Sequence, residues 1–236
     1  MKLSFTNERV LAVMAHPDDA ELLCAGTLAR ARSDGATIGV CVMCTGDKGQ
    51  SSKAIENLSS VRHQEAQDAA KTLGAQFFWF GAGDGELFDT YENRRKLIEI
   101  YRQFKPTLVI AHAAEDYHPD HRAASALAEA ASWFGASRGH VTASPAIDSP
   151  PAVWWADTIN MSGFEPEIYI DISGQIETKQ RMLNAHRSQI QRGNDGDFAP
   201  LMELMLAQCR LRGSQSGVGA AEAFRQHRAF KRVRAW

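Results

Sequence analysis

Val10-Leu11-Ala12-Val13-Met14-Ala15-His16-Pro17-Asp18-Asp19-Ala20-Glu21 is the stretch on which the reading of this chain turns. Its first half is a short, unbroken apolar run of strand length. A run without polar alternation reads as a strand buried on both faces. Its second half opens a helical pattern over Ala20–Ser33, which Asp34-Gly35 ends. The same alternation continues outward. Thr37–Cys44, Gln76–Phe80 and Thr107–His112 read as further strands, and Ser59–Leu73, Tyr91–Phe104 and Pro119–Phe134 as helices. Gly74 and Lys105-Pro106 supply stop signals.

Strands alternating with helices predict a parallel sheet covered on both sides. Right-handed crossovers make this a Rossmann-like, doubly wound α/β fold with a mostly parallel sheet, here as a single domain over 1–236. Residues 1–134 form the regular part, and 135–236 complete the domain less regularly. Gly135–Pro151 reads as a surface loop, Ala152–Ala156 and Glu167–Ile172 as late strands, and Ile176–Gln191 and Pro200–Arg212 as helices. Trp154, Trp155 and the Met202, Leu204, Met205 cluster read as core.

Bulk composition narrows the function. The net charge of −2 and the absence of an apolar run long enough to span a bilayer point away from nucleic acid and membrane partners. The basic residues Arg225, Arg228, Lys231, Arg232 and Arg234 read as a solvated terminal face. Cys24, Cys41, Cys44 and Cys209 read as buried thiols, since no second pair stands at zinc-ribbon spacing. With no apolar leader in the first ten residues, the expected location is cytoplasmic.

Two short motifs carry chemistry. His16-Pro17-Asp18-Asp19 follows the first strand, and His118-Pro119-Asp120-His121 follows the fourth. Imidazole and carboxylate are good zinc ligands. One aspartate would suffice to cap a helix, so two aspartates with a histidine exceed that need. Pro119 suits the first helical position, and His118 and His121 share one turn. In a sheet of order 3-2-1-4 the first and fourth strands are neighbours at the switch point, where ligands bind beyond the carboxyl ends. The two motifs therefore meet in space. No glycine-rich dinucleotide fingerprint follows the first strand, which disfavours a nicotinamide enzyme. Spacing alone leaves open which aspartate would bind metal.

The sequence resembles the PIG-L/LmbE family of zinc-dependent N-deacetylases, closest to the bacillithiol-pathway branch. The likeness lies in AHPDDAEL with Gly26-Thr27-Leu28-Ala29, in Thr45-Gly46-Asp47-Lys48-Gly49, and in Arg62-x-x-Glu65 leading to Leu73-Gly74. It continues through His118–His121, Lys179 with His186-x-Ser188-Gln189, and Gly217-Val218 before Ala221-Glu222-Ala223-Phe224. This resemblance implies Zn²⁺ held by His16, Asp19 and His121, with Asp18 as general base and His118 polarising the carbonyl or stabilising the oxyanion, the latter expected of a protonated imidazole. It implies substrate contacts from Arg62, Asp47 and His186, against which stand a pairing of Arg62 with Glu65, a turn role for Asp47 and a supporting place behind the site for His186, and it leaves Asp120 either orienting an imidazole or capping its helix. The implied reaction removes an N-acetyl group from a small N-acetylglucosamine conjugate such as N-acetylglucosaminyl malate. The implied assembly is a homo-oligomer, with a hexamer as one candidate form. A catalytically silent carbohydrate-binding protein and a zinc amidase for another amide conjugate are the alternatives on the same fold.

Overall fold

Unbroken apolar strands need cover on both faces, and the computed structural model, which describes residues 4–195 and 200–228, supplies it from two helical layers. Strands β1 (Arg9–Met14), β2 (Thr37–Cys44), β3 (Gln76–Ala82), β4 (Leu108–His112) and β5 (Ala152–Ala156) run parallel. With β6 (Ile168–Asp171) and β7 (Ala221–Gln226) they form one seven-stranded sheet of order β3-β2-β1-β4-β5-β7-β6. The expected order around β1 and β4 is present. Strand β7 runs against both of its neighbours, making the sheet mixed.

Successive side chains of a strand point to opposite faces, so each strand feeds two cores. Val10, Ala12 and Met14 of β1 join Ile38, Val40 and Trp154 in one. Helices α1 (Asp19–Leu23), α2 (Ala25–Ser33), α3 (Leu58–Thr72), α6 (Ile176–Leu183) and α8 (Leu201–Ser216) cover that face. Leu11, Val13 and Ala15 join Met43, Val109 and Trp155 in the other, under α4 (Tyr91–Phe104) and α5 (Pro119–Phe134). Trp154 and Trp155 thus sit back to back as core residues. The four cysteines are free and buried.

Three expectations need correction. The helix expected over Ala20–Ser33 breaks at Cys24, where φ is −144° and ψ is 2°. The break lets the Glu222 carboxylate accept from the amides of Gly26 and Thr27 at 2.8 and 2.7 Å, capping α2 from β7. Lys179, fully buried, pairs with Glu222 and donates to the Leu22 carbonyl at 2.9 Å. The helix expected over Ile176–Gln191 likewise divides, with α7 (Arg187–Ile190) resuming after Ala185-His186. The basic terminal face begins inside β7: Arg225 pairs with Glu115, and Arg228 beyond the strand pairs with Glu167. Lys231, Arg232 and Arg234 lie outside the described residues. No helix among the described residues is long and apolar enough to cross a membrane.

Candidate metal centre and active site

Register brings the two motifs together. Val10 pairs with Leu108 and Val13 with Ala111, so β1 and β4 end side by side and hand the chain to α1 and α5 at the same edge. There His16 Nδ1 lies 3.4 Å from Asp19 Oδ2, His121 Nε2 lies 3.4 Å from the same oxygen, and the two imidazole nitrogens are 3.3 Å apart. Three donors bound tetrahedrally at about 2.0–2.1 Å stand roughly 3.3–3.4 Å from one another. The triangle therefore fits one small divalent ion. Its chemistry fits too, with two imidazoles and one carboxylate.

The surrounding charges favour a cation. Burial opposes protonation of His16, yet hydrogen bonds and fields from Asp120 and Asp19 outweigh it and raise the imidazole to about 10. His121 is raised to about 9 on the same balance, with Asp19 and Asp116 facing it. Asp19 is held well below the carboxylate range against its burial, chiefly by the fields of His121 and His112.

Each ligand candidate is oriented from behind. His16 Nε2 lies 3.1 Å from Asp120 Oδ2, which also accepts from the Gly85 amide at 2.8 Å. His121 Nδ1 lies 3.0 Å from Asp116 Oδ1. A carboxylate on the far nitrogen fixes the ring and raises its basicity as a ligand. Asp116 was missed in the sequence, although an acid two residues before His118 is a visible signal. His112, also missed, stacks on His121 with centroids 3.8 Å apart. Its donor atom clusters with those of Asp19 and His121. The Ala15 amide, however, already donates to His112 Nε2 at 3.0 Å, so that lone pair is taken.

Asp18 is the N-cap residue of α1 and holds φ at +102°, a left-handed conformation that is strained for a residue with a Cβ. Arg62 from α3 secures it. The buried guanidinium bonds Asp18 Oδ2 at 3.0 Å, the Gly46 carbonyl at 3.3 Å and the Pro17 carbonyl. Any Cβ on Gly46 or Gly49 would meet Arg62 within 2.6 or 2.7 Å, which explains both glycines of Thr45–Gly49. Burial raises the Asp18 carboxyl to about 6, with Arg62 pulling the other way and Asp19 adding to the rise. A carboxylate tuned there suits proton transfer near neutrality.

His118 caps α5, its Nδ1 accepting from the Asp120 amide at 3.2 Å. That bond leaves Nε2 as the proton-bearing nitrogen of a neutral ring. Burial and the neighbouring His121 and His16 also lower its proton affinity. The expected protonated His118 is thus corrected to a neutral donor. The cap of α5 is likewise His118 and not Asp120.

The expected substrate residues do not all reach the cleft. Arg62 lines it but directs the donors just named at the protein itself. It does not pair with Glu65, which accepts from Ser188 N and Oγ at 2.8 and 2.7 Å. Asp47 serves its own turn, the local role weighed for it beside a substrate contact. Partial burial pushes its carboxyl up, but bonds from the Asp84 amide, Lys48 and Thr45 together outweigh that and hold it down at about 2. His186 is fully buried, 3.1 Å from Glu21, and does not line the cleft, so direct substrate contact is corrected in favour of a supporting place behind the site. The cleft has a volume of about 630 Å³, and Lys48, Tyr117, Gln189 and Leu204 are among its walls. The core expected for Leu204 is therefore a cleft surface instead.

Known proteins resemble this chain over most of its length. Residues 11–132 match the PIG-L family, described as GlcNAc-PI de-N-acetylase. A conserved protein of Thermus thermophilus superposes with a TM-score of 0.81 at 32% identity, over 96% of this chain and 97% of that one. Diacetylchitobiose deacetylase of Thermococcus kodakarensis is 28% identical over 77% of this chain and 70% of its own length. The 4-oxalmesaconate hydratase of Pseudomonas putida is 24% identical over 76% of this chain and 73% of its own. The chain belongs to the PIG-L family.

Proposed function

We propose that this PIG-L family protein is a zinc-dependent hydrolase that removes the N-acetyl group from a small N-acetylglucosamine conjugate, such as N-acetylglucosaminyl malate. The observation that carries this reading is the His16–Asp19–His121 triangle, with edges of 3.3–3.4 Å, set beside a separate carboxylate on Asp18. His16 Nδ1, Asp19 Oδ2 and His121 Nε2 would hold the zinc. Bound there, zinc acts as a Lewis acid that acidifies water and polarises a carbonyl.

The chain's own residues supply the rest. Asp18 is engaged by Arg62 through one oxygen, and its raised proton affinity suits a group that exchanges a proton near neutrality. It takes the proton of the attacking water and returns it to the amine nitrogen as the amide bond breaks. His118 donates its Nε2 proton toward the amide oxygen as that atom gains negative charge. One of its ring nitrogens lies within 4.8 Å of a ring nitrogen of each of His16 and His121. Asp116 and Asp120 hold the two rings in place. Lys48, Asp84 and Gln189 offer hydrogen-bonding partners to sugar hydroxyls.

A second reading is hydration of an unsaturated carboxylate. It is favoured by the hydratase relative and by Lys48 and Arg192 on the cleft wall, which suit an anion. Acetate release from a panel of N-acetylglucosamine conjugates separates the readings. The deacetylase reading expects turnover that chelation abolishes and zinc restores. Loss of absorbance from an unsaturated dicarboxylate, with no acetate from any conjugate, contradicts it in favour of the hydratase. Binding of conjugates without either reaction favours a silent carbohydrate-binding protein.

A further inference from the structure

The cleft has two chemically distinct walls. Lys48, Asp84 and Gln189 are polar, whereas Leu22, Ile159, Leu201 and Leu204 present hydrocarbon. The apolar wall begins at the reacting centre, because Leu22 follows Asp18 by one helical turn, its amide bonding the Asp18 carbonyl at 2.9 Å. Leu22 and Leu201 are buried, and Ile159 packs on the core. Leu204 is different. It is half-buried, packs on neither core, and borders the cleft. One exposed leucine is ordinary. Four aliphatic side chains from α1, α8 and the segment after β5, all facing one cavity beside the base, make a formed apolar surface of the kind that binds ligands.

We infer that this wall is an acyl subsite, and that the protein hydrolyses N-acyl groups longer than acetyl. The inference rests on the hydrolase reading above. In an N-acylated sugar the only hydrocarbon bonded to the reacting carbonyl is the acyl chain, while the hydroxyls of the sugar match the polar wall. An acetyl methyl reaches only the start of the apolar surface, and a longer chain extends along Ile159, Leu201 and Leu204.

The test is amine release from N-acetyl, N-butanoyl, N-hexanoyl and N-octanoyl glucosamine conjugates sharing one aglycone. The expected kcat/KM rises about two- to fourfold per added methylene until the wall is covered. Leu204→Asp should then lower the hexanoyl-to-acetyl ratio about tenfold. Leu211→Asp, on the exposed side of the same helix, should leave that ratio unchanged. Cleavage of the acetyl conjugate with loss of activity on longer acyl chains overturns the subsite and leaves the hydrolase reading standing. A gain seen only when an alkyl aglycone is lengthened, at constant acetyl, overturns the acyl assignment. Failure to cleave any member removes the hydrolase reading and this inference with it.

Discussion

The tripeptide His-Pro-Asp occurs twice at the carboxyl edge of this sheet, as His16-Pro17-Asp18 after β1 and His118-Pro119-Asp120 after β4. The two copies fold differently. In the second, Pro119 begins α5, so His118 becomes the cap and Asp120 reaches across to His16. In the first, the helix starts two residues later, at Asp19, and Asp18 turns through φ +102°. That turn leaves His16 free to face the proposed cation site and sets Asp18 beside it. Identical residues thus acquire different roles from where the helix begins. The pair of roles is also complementary, since the aspartate of one copy holds the histidine of the other.

The largest expected break in this comparison is at the two aspartates. Asp18→Asn should lower kcat about 10²–10⁴-fold while zinc stays stoichiometric, as read by metal analysis and steady-state rates. Asp120→Asn should act on the metal instead, weakening its affinity about 10–100-fold in a chelator competition. Equal effects on metal and rate in both variants would erase the distinction between the copies.

A smaller effect sharpens the role of Asp18 as base. The proposed reaction needs this carboxylate ionised, so the rate should fall as pH drops through its proton affinity, about 6 for the chain alone and lower beside a bound cation. Arg62 favours the ionised form. Arg62→Met should therefore shift the acidic limb to higher pH, and a pH–rate profile reads the shift. A shift toward lower pH would mean that another group governs the limb. The smallest effect belongs to the helix start: His118→Ala should cost about 1 kcal/mol of stability in a denaturant titration, the ordinary value of a lost cap.

Much of this arrangement is legible in the sequence because the first half obeys its local patterns. Apolar runs mark β1, β2 and β4, and the order around β1 brings distant motifs together without further information. The parts that were not legible depend on tertiary partners. Strand β7 is hidden by Glu222, a charge inside a buried strand, which only Lys179 and the Gly26 and Thr27 amides make tolerable. The break at Cys24 follows from that same carboxylate. The place of His186 depends on a contact with Glu21 that no spacing in the chain announces. The positive φ of Asp18 is likewise a local strain that Arg62, 44 positions away, holds in place.

The most direct test compares the two histidines of the repeated tripeptide. Zinc content after dialysis should be one ion per chain in the unaltered protein and in His118→Ala, and far below one in His16→Ala, with circular dichroism confirming the fold of each. Full zinc retention in His16→Ala, or loss of zinc in a folded His118→Ala, would contradict the assignment of the metal centre.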